Sequence, residues 1–344
     1  IGLTVGSAMA GLPGALEVCG ATGNPLPAKT VSFTPETKLT IDIGLAWLAG
    51  KQRADGGFGA DRTYSRNVGV CALAGLALLS ESGSLGKYGS AIEGCTTYLL
   101  SRSQSNGFIV EADVLTHAPL YGHGFSTTFL GQIYGVEPRR EIRDGLRKAV
   151  DHILSRQQPN GGWRYTEDPA DTDTSITTCQ MMALLSARQA GIGVPSTALA
   201  KAVHFLKVCQ NPDGGFRYRP TDPFESLFPR SAAAVATLCI LCGHDDPAVV
   251  AGRKYLATAE QQPASGDPHA EYFYYGRFYA AQVQWQQGAA AWNHWYPAAC
   301  HQLLARRTEK GHWSDPNIGD VYATAMALIV LQFPMGHIPL LTLP

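Results

Sequence analysis

Stretches of apolar residues recur along the chain and alternate with segments that carry most of the charge. The apolar stretches are rich in Ala, Leu, Thr and Cys, and they run over 68–79, 126–134, 174–190, 231–242, 272–285 and 321–331. Because they are apolar on nearly every face, they are typical of fully buried helices. The segments before them are charged and amphipathic, as in 139–156. The pattern predicts repeated pairs of helices, each an outer amphipathic helix followed by an inner buried one.

A recurring turn joins the two helices of each pair. It consists of a Gln, an Asp or Asn, two Gly and an aromatic residue, and its full copies end at Phe58, Trp163 and Phe216. A shortened copy ends at Phe108, and a degenerate sixth copy ends at Trp313. A Gly that follows a helix can take the left-handed conformation that satisfies the last carbonyls of that helix. The aromatic residue is then expected to fold back onto its own hairpin.

The spacing of the turns indicates about six repeats. The first four turns are 50, 55 and 53 residues apart, and 97 residues, about two repeats, separate the fourth from the last. A fifth copy without glycines, at Tyr255 and Gln261, lies in that interval. Six hairpins can close into a ring, which removes the exposed ends of an open solenoid. The predicted fold is an all-α closed toroid of about six helical hairpins, whose inner apolar helices line a central cavity. An open superhelix of helical pairs is the competing architecture.

The domain boundaries follow from the repeats. Residues 33–344 are predicted to form a single α/α toroid, and residues 1–32 a leader or loose segment. Residues 1–16 carry no charge, so they are interpreted either as the remnant of a signal segment or as a leader packed on the surface. The predicted location of the protein follows from that choice: it is extracytoplasmic if residues 1–16 are a signal remnant, and cytoplasmic otherwise.

Composition narrows the class of partner. Charged residues make up 16% of the 344 residues and the net charge is -1, so no basic stripe indicates nucleic acid. The low charge fraction favours a large interior or an apolar cavity. No uninterrupted apolar run reaches spanning length in the body of the chain, which predicts no integral membrane span and leaves contact with a membrane surface open. Cys239 and Cys242 have metal-ligand spacing but lack a second pair, and they are interpreted as small buried residues.

The repeated turn resembles the prenyltransferase and squalene-oxidase repeat. The resemblance extends from about Phe33 to Phe333 and implies one α/α toroid of the terpenoid cyclase and protein prenyltransferase superfamily. That superfamily includes squalene-cyclase-like enzymes, prenyltransferase β subunits and complement thioester domains. The repeat therefore predicts the fold, whereas the function has to be inferred from the site.

Two of these functions require residues that this chain lacks. Protein prenyltransferases place a zinc-binding His at the start of the last inner helix, where this chain has Ala323. The other zinc ligands of that family would fall at Tyr275 and Arg277, which are not zinc ligands. Thioester domains carry Gly-Cys-Gly-Glu-Gln, and the nearest string, around Cys95, lacks the Glu-Gln. Both functions are rejected, and no metal or other cofactor is expected.

The class II cyclases carry Asp-x-Asp-Asp-Thr-Ala at the start of an inner helix, and the stretch Asp171-Thr172-Asp173-Thr174 resembles it. The resemblance implies that Asp173 is the proton donor and that Asp171 is its partner, although Thr174 stands where the family has its last Asp. Two carboxyls close together in a dry cavity cannot both ionise, so Asp171 would keep Asp173 in the acid form. The predicted activity is a metal-independent isomerase reaction, started by protonation of an apolar isoprenoid.

Aromatic side chains would line the cavity of such an enzyme, because ring faces attract the positive charge of a carbocation. The candidates lie in the third turn and on the fifth and sixth inner helices: Trp163, Tyr165, Tyr274, Tyr275, Tyr279 and Tyr322. His123 and Asp320, at the starts of the second and sixth inner helices, are further candidates for the cavity.

Each candidate also has a structural interpretation. Asp171, Asp173 and Asp320 suit the N-caps of helices, the tyrosines suit core packing, and His123 suits a hydrogen-bonded structural role. The alternative function is a non-catalytic toroid that binds a ligand or a protein partner in its central cavity. A third alternative is a carbohydrate-active barrel, which requires two carboxyls roughly 5–9 Å apart. The directions of the Asp171 and Asp173 carboxyls discriminate between catalysis and capping.

Overall fold

The computed structural model describes residues 34–59, 64–114, 118–166, 172–261 and 272–337. These residues form twelve α-helices and no β-strand beyond isolated bridges. The helices are α1 (Pro35–Ala49), α2 (Val68–Leu79), α3 (Gly89–Ser101), α4 (Pro119–Val136), α5 (Arg140–Ser155), α6 (Thr174–Gln189), α7 (Ser196–Val208), α8 (Phe228–Cys242), α9 (Pro247–Gln261), α10 (Phe273–Gln286), α11 (Ala289–Ala305) and α12 (Asp320–Gln332). The segment 1–32, with its two interpretations, lies outside the described residues.

The even-numbered helices form a closed inner ring, and the odd-numbered helices pack around it. Each inner helix packs against the inner helix of the next hairpin, and α12 packs back against α2. The side-chain amide of Gln332 on α12 donates to the carbonyl of Ala77 on α2 at 3.0 Å. Because the last inner helix is bonded to the first, the prediction of a closed toroid is confirmed and the open superhelix is excluded.

The two kinds of helix bury different parts of their surface. Every residue of α2 is buried, and so is every residue of α12 after Asp320. On α5 the residues Ile142, Leu146 and Ile153 face the ring, and each buried aliphatic side chain contributes roughly 1.5–3 kcal/mol. None of the helices in the described part of the chain is both long and apolar enough to cross a bilayer.

The Gly-Gly-aromatic turn after α5 has the conformation that its sequence predicts. Gly161 has φ 93°, and a Cβ there would lie 2.2 Å from the carbonyl oxygen of Lys201. The Asn160 side chain accepts from the Gly162 amide at 3.1 Å. The Trp163 ring then turns back, and its Nε1 donates to the carbonyl of Ile153 on α5 at 2.8 Å. The aromatic residue of the turn thus packs inside its own hairpin.

The Gln of the repeat joins consecutive hairpins. The Gln157 amide nitrogen donates to the carbonyl of Gly161 at 2.9 Å and to that of Ala198, in the first turn of α7, at 2.8 Å. Gln52 and Gln210 make the same two kinds of bond in their own repeats. Each Gln therefore fixes its turn to the next outer helix, which explains why the residue recurs.

One helix boundary departs clearly from the prediction. Helix α4 begins at Pro119, whereas the apolar pattern placed its start at residue 126. Two glycines in the first turns, Gly122 and Gly124, have low helix propensity and concealed this start. A Cβ at Gly124 would lie 2.7 Å from the Cys179 sulfur on α6, so the glycine allows α4 and α6 to pack closely.

Candidate functional site

The N-termini of the inner helices meet at one end of the inner ring, and the interior that this ring encloses is termed the central channel. Each inner helix follows an antiparallel outer helix, so the six inner helices run in parallel and their dipoles place partial positive charge at that end. Their N-caps, all of which the structure describes, are Asn67, Ala118, Asp173, Leu227, Tyr272 and Gly319. Asp173 is the one acidic residue in this set.

The Asp173 carboxylate is buried and both of its oxygens are bonded. Its side chain has no solvent exposure. One oxygen accepts from the backbone amides of Ser175 and Ile176 at 2.9 and 3.0 Å. The other accepts from the Arg164 guanidinium at 2.9 Å. Burial raises the pKa of Asp173 to about 6, although the bonds from the Ile176 amide and from Arg164 act in the opposite direction.

Arg164 links Asp173 to two tyrosines. Its Nη1 atom, which binds Asp173, also donates to the Tyr218 hydroxyl at 2.9 Å. Its guanidinium lies 4.3 Å from the ring centroid of Tyr165 and 5.5 Å from that of Tyr218. The hydroxyls of the two tyrosines are bonded to each other, and the Tyr218 carbonyl accepts from the Thr174 amide at 2.9 Å. The turns of the third and fourth repeats thereby both hold the start of α6.

A series of aromatic rings crosses the channel beside Asp173. The rings of Tyr121 on α4 and Tyr275 on α10 have centroids 6.4 Å apart. Because α4 and α10 stand three places apart in the ring of six, this contact spans the channel. Tyr121 also lies 6.1 Å from Tyr165, and Tyr275 lies 4.8 Å from Tyr279. Burial first, and the nearby Asp173 charge among the further causes, raise the pKa of both Tyr121 and Tyr275.

The predicted aromatic candidates divide into two groups. Tyr165, Tyr275 and Tyr279 belong to the series that crosses the channel. Trp163 does not line the channel, because it packs inside its hairpin against α5. The Tyr274 hydroxyl donates to the Ser314 carbonyl at 3.2 Å, in the turn before α12. On α12 itself, Tyr322 is buried, and burial, with Asp315 and Tyr274 nearby, raises its pKa.

The assignment of His123 to the cavity is wrong. Its Nδ1 accepts from the Ile109 amide at 3.1 Å, and its Nε2 donates to the carbonyl of Ala149 on α5 at 3.2 Å, so the ring lies between an inner and an outer helix. Burial lowers the pKa of His123 to about 3, with His152 adding to the effect, so the ring is neutral. In other repeats a hydroxyl holds the turn amide in the same way: Thr177 for Trp163, Ser231 for Phe216 and Thr324 for Trp313.

Of the two remaining predicted acids, Asp320 is described and is not part of the bonded network around Asp173. Asp320 is the first residue of α12 and Gly319 is its N-cap, so the capping interpretation of Asp320 is wrong. Its carboxylate bonds His312 Nε2 at 3.2 Å, and the His312 ring stacks on Trp47 of the outer helix α1. Asp320 therefore faces a turn and an outer helix. Asp171 lies outside the described residues, so the pairing of two acids stays a prediction.

Sequence reasoning missed three residues of this site: Arg164, Tyr218 and Tyr121. Arg164 and Tyr218 belong to the Arg-Tyr pairs that follow Trp163 and Phe216 in two successive turns. A comparison of the repeats finds both pairs but does not tell which Arg turns toward Asp173. Tyr121 stands two positions before His123 on the same helix, where the helical period puts the two side chains on opposite faces. The choice of His123 therefore selected the wrong face of α4.

Comparison with known sequences is consistent with this architecture. The Prenyltransferase alpha-alpha toroid domain matches residues 29–125 and 139–267. The chain belongs to this toroid family. Drimenyl diphosphate synthase of Streptantibioticus cattleyicolor is 35% identical to the chain over 97 residues, which cover 28% of this chain and 17% of that enzyme. The toroid thus shares a segment with a terpene synthase, and the match spans about a sixth of that relative's length.

Solved structures of two functional classes share the fold. A type II terpene cyclase from Scytonema, in complex with its product merosterolic acid A, has a TM-score of 0.59 at 13% identity, covering 89% of this chain and 98% of that one. A GH76 alpha-1,6-mannanase from Salegentibacter has a TM-score of 0.66 at 10% identity, covering 88% and 99%. At these identities the likeness shows the toroid fold alone, and the chemistry has to be inferred from the site.

Proposed function

We propose that this toroid is a protonation-initiated isoprenoid cyclase in which Asp173 supplies the proton. The observation that carries the proposal is the position of Asp173: an acidic residue, the only one among the six inner N-caps, is buried beside aromatic rings that cross the channel. Capping does not require an acid, since Asn67 caps α2 through its side chain. The segment that is 35% identical to drimenyl diphosphate synthase supports this choice of chemistry.

The proposed first step is transfer of the Asp173 carboxyl proton to an alkene carbon of the substrate. The π electrons of that C=C bond form the new C–H bond, and the other alkene carbon becomes a tertiary carbocation beside the Asp173 carboxylate. A further alkene of the same chain closes a ring onto the cation. Loss of a proton from the last cation ends the reaction, so the product is an isomer of the substrate. The ring faces of Tyr121, Tyr165, Tyr275 and Tyr279 would stabilise the cations along this path.

A second candidate is a non-catalytic toroid that holds an apolar ligand in its channel. One observation favours it: both carboxylate oxygens of Asp173 accept hydrogen bonds, an arrangement that stabilises the anion over the acid. In this case Asp173 and Arg164 would be a cap and an ion pair that hold the start of α6, and the tyrosines would form the wall of a binding channel.

Product analysis discriminates between the two. Purified protein is incubated with squalene, farnesyl diphosphate and geranylgeranyl diphosphate, and the wild type is compared with Asp173→Asn. Asp315→Asn is the matched control, because Asp315 is a buried carboxylate that bonds the amides of Asn317 and Ile318, outside the hydrogen-bonded network of Asp173. Circular dichroism verifies the fold of each variant.

Each outcome selects one candidate. A cyclic isomer formed by the wild type and by Asp315→Asn, but not by Asp173→Asn, supports the cyclase. A cyclic product formed by Asp173→Asn overturns the role of Asp173. If no folded variant yields product while a prenyl compound raises the melting temperature of the protein, the ligand-holding toroid replaces the cyclase.

A further inference from the structure

We propose that Arg164 is a positioning residue that controls when Asp173 can donate a proton. In this proposal Arg164 holds Asp173 as the anion, and its displacement from the carboxylate is the step that makes Asp173 an acid. The inference rests on the proposed function, and it concerns a residue that the repeat alone does not mark.

Two arginines at equivalent positions of the repeat point in different directions. Arg164 follows Trp163 in the third turn, and Arg217 follows Phe216 in the fourth. Arg217 turns outward, where its Nη2 donates to the carbonyl of Val208 at the end of the outer helix α7 and its guanidinium stacks on Phe224. Arg164 turns inward to the start of α6. The toroid does not require the inward position, because the fourth repeat folds without it.

The inward arginine and the acidic N-cap occur in the same repeat. The inner helix α8, which follows Arg217, has Leu227 as its N-cap, whereas α6, which follows Arg164, has Asp173. The inward arginine and the acidic cap thus occur in the same repeat and bond each other at 2.9 Å. The fully buried Asp173 carboxylate would otherwise be an uncompensated charge, which is strongly destabilising.

The Arg164 guanidinium can move away from the Asp173 carboxylate. Its side chain is 22% exposed, while the Asp173 side chain is fully buried. Its other contacts are the Tyr218 hydroxyl and the ring faces of Tyr165 and Tyr218. These contacts can retain the guanidinium after its bond to Asp173 breaks. A modest rotation of the arginine therefore changes the charge balance at Asp173 without unfolding the turn.

Among the residues that the structure describes, the other titratable groups that face Asp173 keep their protons near neutral pH. They are Tyr121 from α4, Cys179 on α6, Cys209 at the end of α7, Tyr275 from α10 and Tyr218 from the fourth turn. Burial raises the pKa of each of these five groups above its ordinary value. Among these described groups, Arg164 is then the one whose position can change the protonation of Asp173 in this pH range.

The test uses Arg164→Gln, with Arg164→Lys as the charge-conserving variant and Arg217→Gln as the control from the equivalent position. Difference infrared spectra, each protein against the same protein carrying Asp173→Asn, isolate the carboxyl band of Asp173 and give its titration without turnover. The pH profile of turnover is then measured for every variant that forms product.

Arg164→Gln is expected to move the titration of Asp173 and the alkaline limb of turnover to higher pH. At one pH unit above the wild-type limb it should retain about tenfold more of its maximal turnover than the wild type. Arg164→Lys and Arg217→Gln should follow the wild type. An Asp173 titration that is unchanged in folded Arg164→Gln overturns the proposal, as does an equal shift in Arg217→Gln. If the Asp173 titration shifts in Arg164→Gln but the wild type forms no product, the control of Asp173 by Arg164 is supported and the cyclase function is rejected.

Discussion

Asp173 caps α6 with the same side-chain bond that Asn67 makes at the start of α2. The Asp173 carboxylate accepts from the amide of Ile176 at 3.0 Å, and the Asn67 amide oxygen accepts from the amide of Val70 at 3.0 Å, three residues along in each case. Since a neutral amide performs this task in the first hairpin, the charge of Asp173 is not needed for the cap. The charge instead carries a cost of desolvation.

The first prediction follows from that cost. The folded pKa of Asp173, about 6, lies above its value of about 3.9 in an unfolded chain. The folded state therefore binds more protons between these two values, and wild-type stability decreases as the pH rises through this window. The free energy of unfolding of Asp173→Asn minus that of the wild type is expected to increase by roughly 2–3 kcal/mol as the pH rises from 4 to 7. Urea unfolding at a series of pH values measures this, and parallel pH curves for the two proteins would contradict the prediction.

Gly161 provides a second prediction, because a matched glycine separates two effects. Gly161 and Gly191 both have positive φ, 93° and 82°. A Cβ at Gly191 would meet no atom within 4 Å, whereas one at Gly161 would collide with the backbone of Lys201. Gly191→Ala should cost about 1–2 kcal/mol of stability from backbone strain. Gly161→Ala should cost roughly 3–5 kcal/mol, since displacement of the neighbouring hairpin is added. Equal losses in urea unfolding would show that the close approach of the hairpins is unimportant.

His123 gives a third prediction, with the opposite dependence on pH. Its folded pKa of about 3 lies below the unfolded value of about 6.5. The unfolded state binds the extra proton, so His123 lowers stability as the pH falls from about 6.5. His123→Thr introduces the residue that Thr177 and Thr324 supply in other repeats. Its loss of stability between pH 6.5 and pH 4.5 should be smaller than that of the wild type by roughly 2–3 kcal/mol. The slope is the readout, since the smaller side chain also lowers stability at every pH. An unchanged slope would disprove a neutral His123.

The closed toroid could be predicted from sequence because its determinants are local and repeated. The turn at Gly161, the Gln157 side chain and the buried helix α6 each have equivalents at regular spacing. A pattern that recurs about every 50 residues indicates the same hairpin each time, and six hairpins fix the ring. Even α4, whose start was misplaced, was assigned to the correct layer, because its apolar character extends beyond the two glycines.

The site was harder to predict because it consists of departures from the repeat and of contacts between distant segments. Asp173 was found through a resemblance, but its partner Arg164 occupies a position whose equivalent, Arg217, points outward. Sequence alone does not distinguish the two directions, since an aromatic residue, an Arg and a Tyr occur in the same order at 163–165 and 216–218. The meeting of Tyr121 with Tyr275 across the channel depends on ring closure, which no local pattern contains.

The last prediction concerns the two adjacent tyrosines at the start of α10. Within the part of the chain that the structure describes, the buried Tyr275 hydroxyl lies beside the hydroxyls of Tyr121 and Tyr279 without a well-aligned hydrogen bond, whereas the Tyr274 hydroxyl donates to the Ser314 carbonyl. Tyr275→Phe should leave stability unchanged or slightly higher, while Tyr274→Phe should lose about 1 kcal/mol. Urea unfolding of the two variants tests this difference.

For the proposed cyclase, the same comparison separates the ring of Tyr275 from its hydroxyl. Tyr275→Phe keeps the ring face toward the channel and should retain wild-type turnover. Tyr275→Leu removes the ring face, and its turnover should be about tenfold lower than that of the wild type. The reason is that a desolvated ring stabilises an adjacent cation by roughly 1–2 kcal/mol. Product formation under identical conditions measures both, with the melting temperature as the control for folding. If Tyr275→Phe loses as much turnover as Tyr275→Leu, the hydroxyl carries the effect, and stabilisation of a carbocation by the Tyr275 ring is refuted.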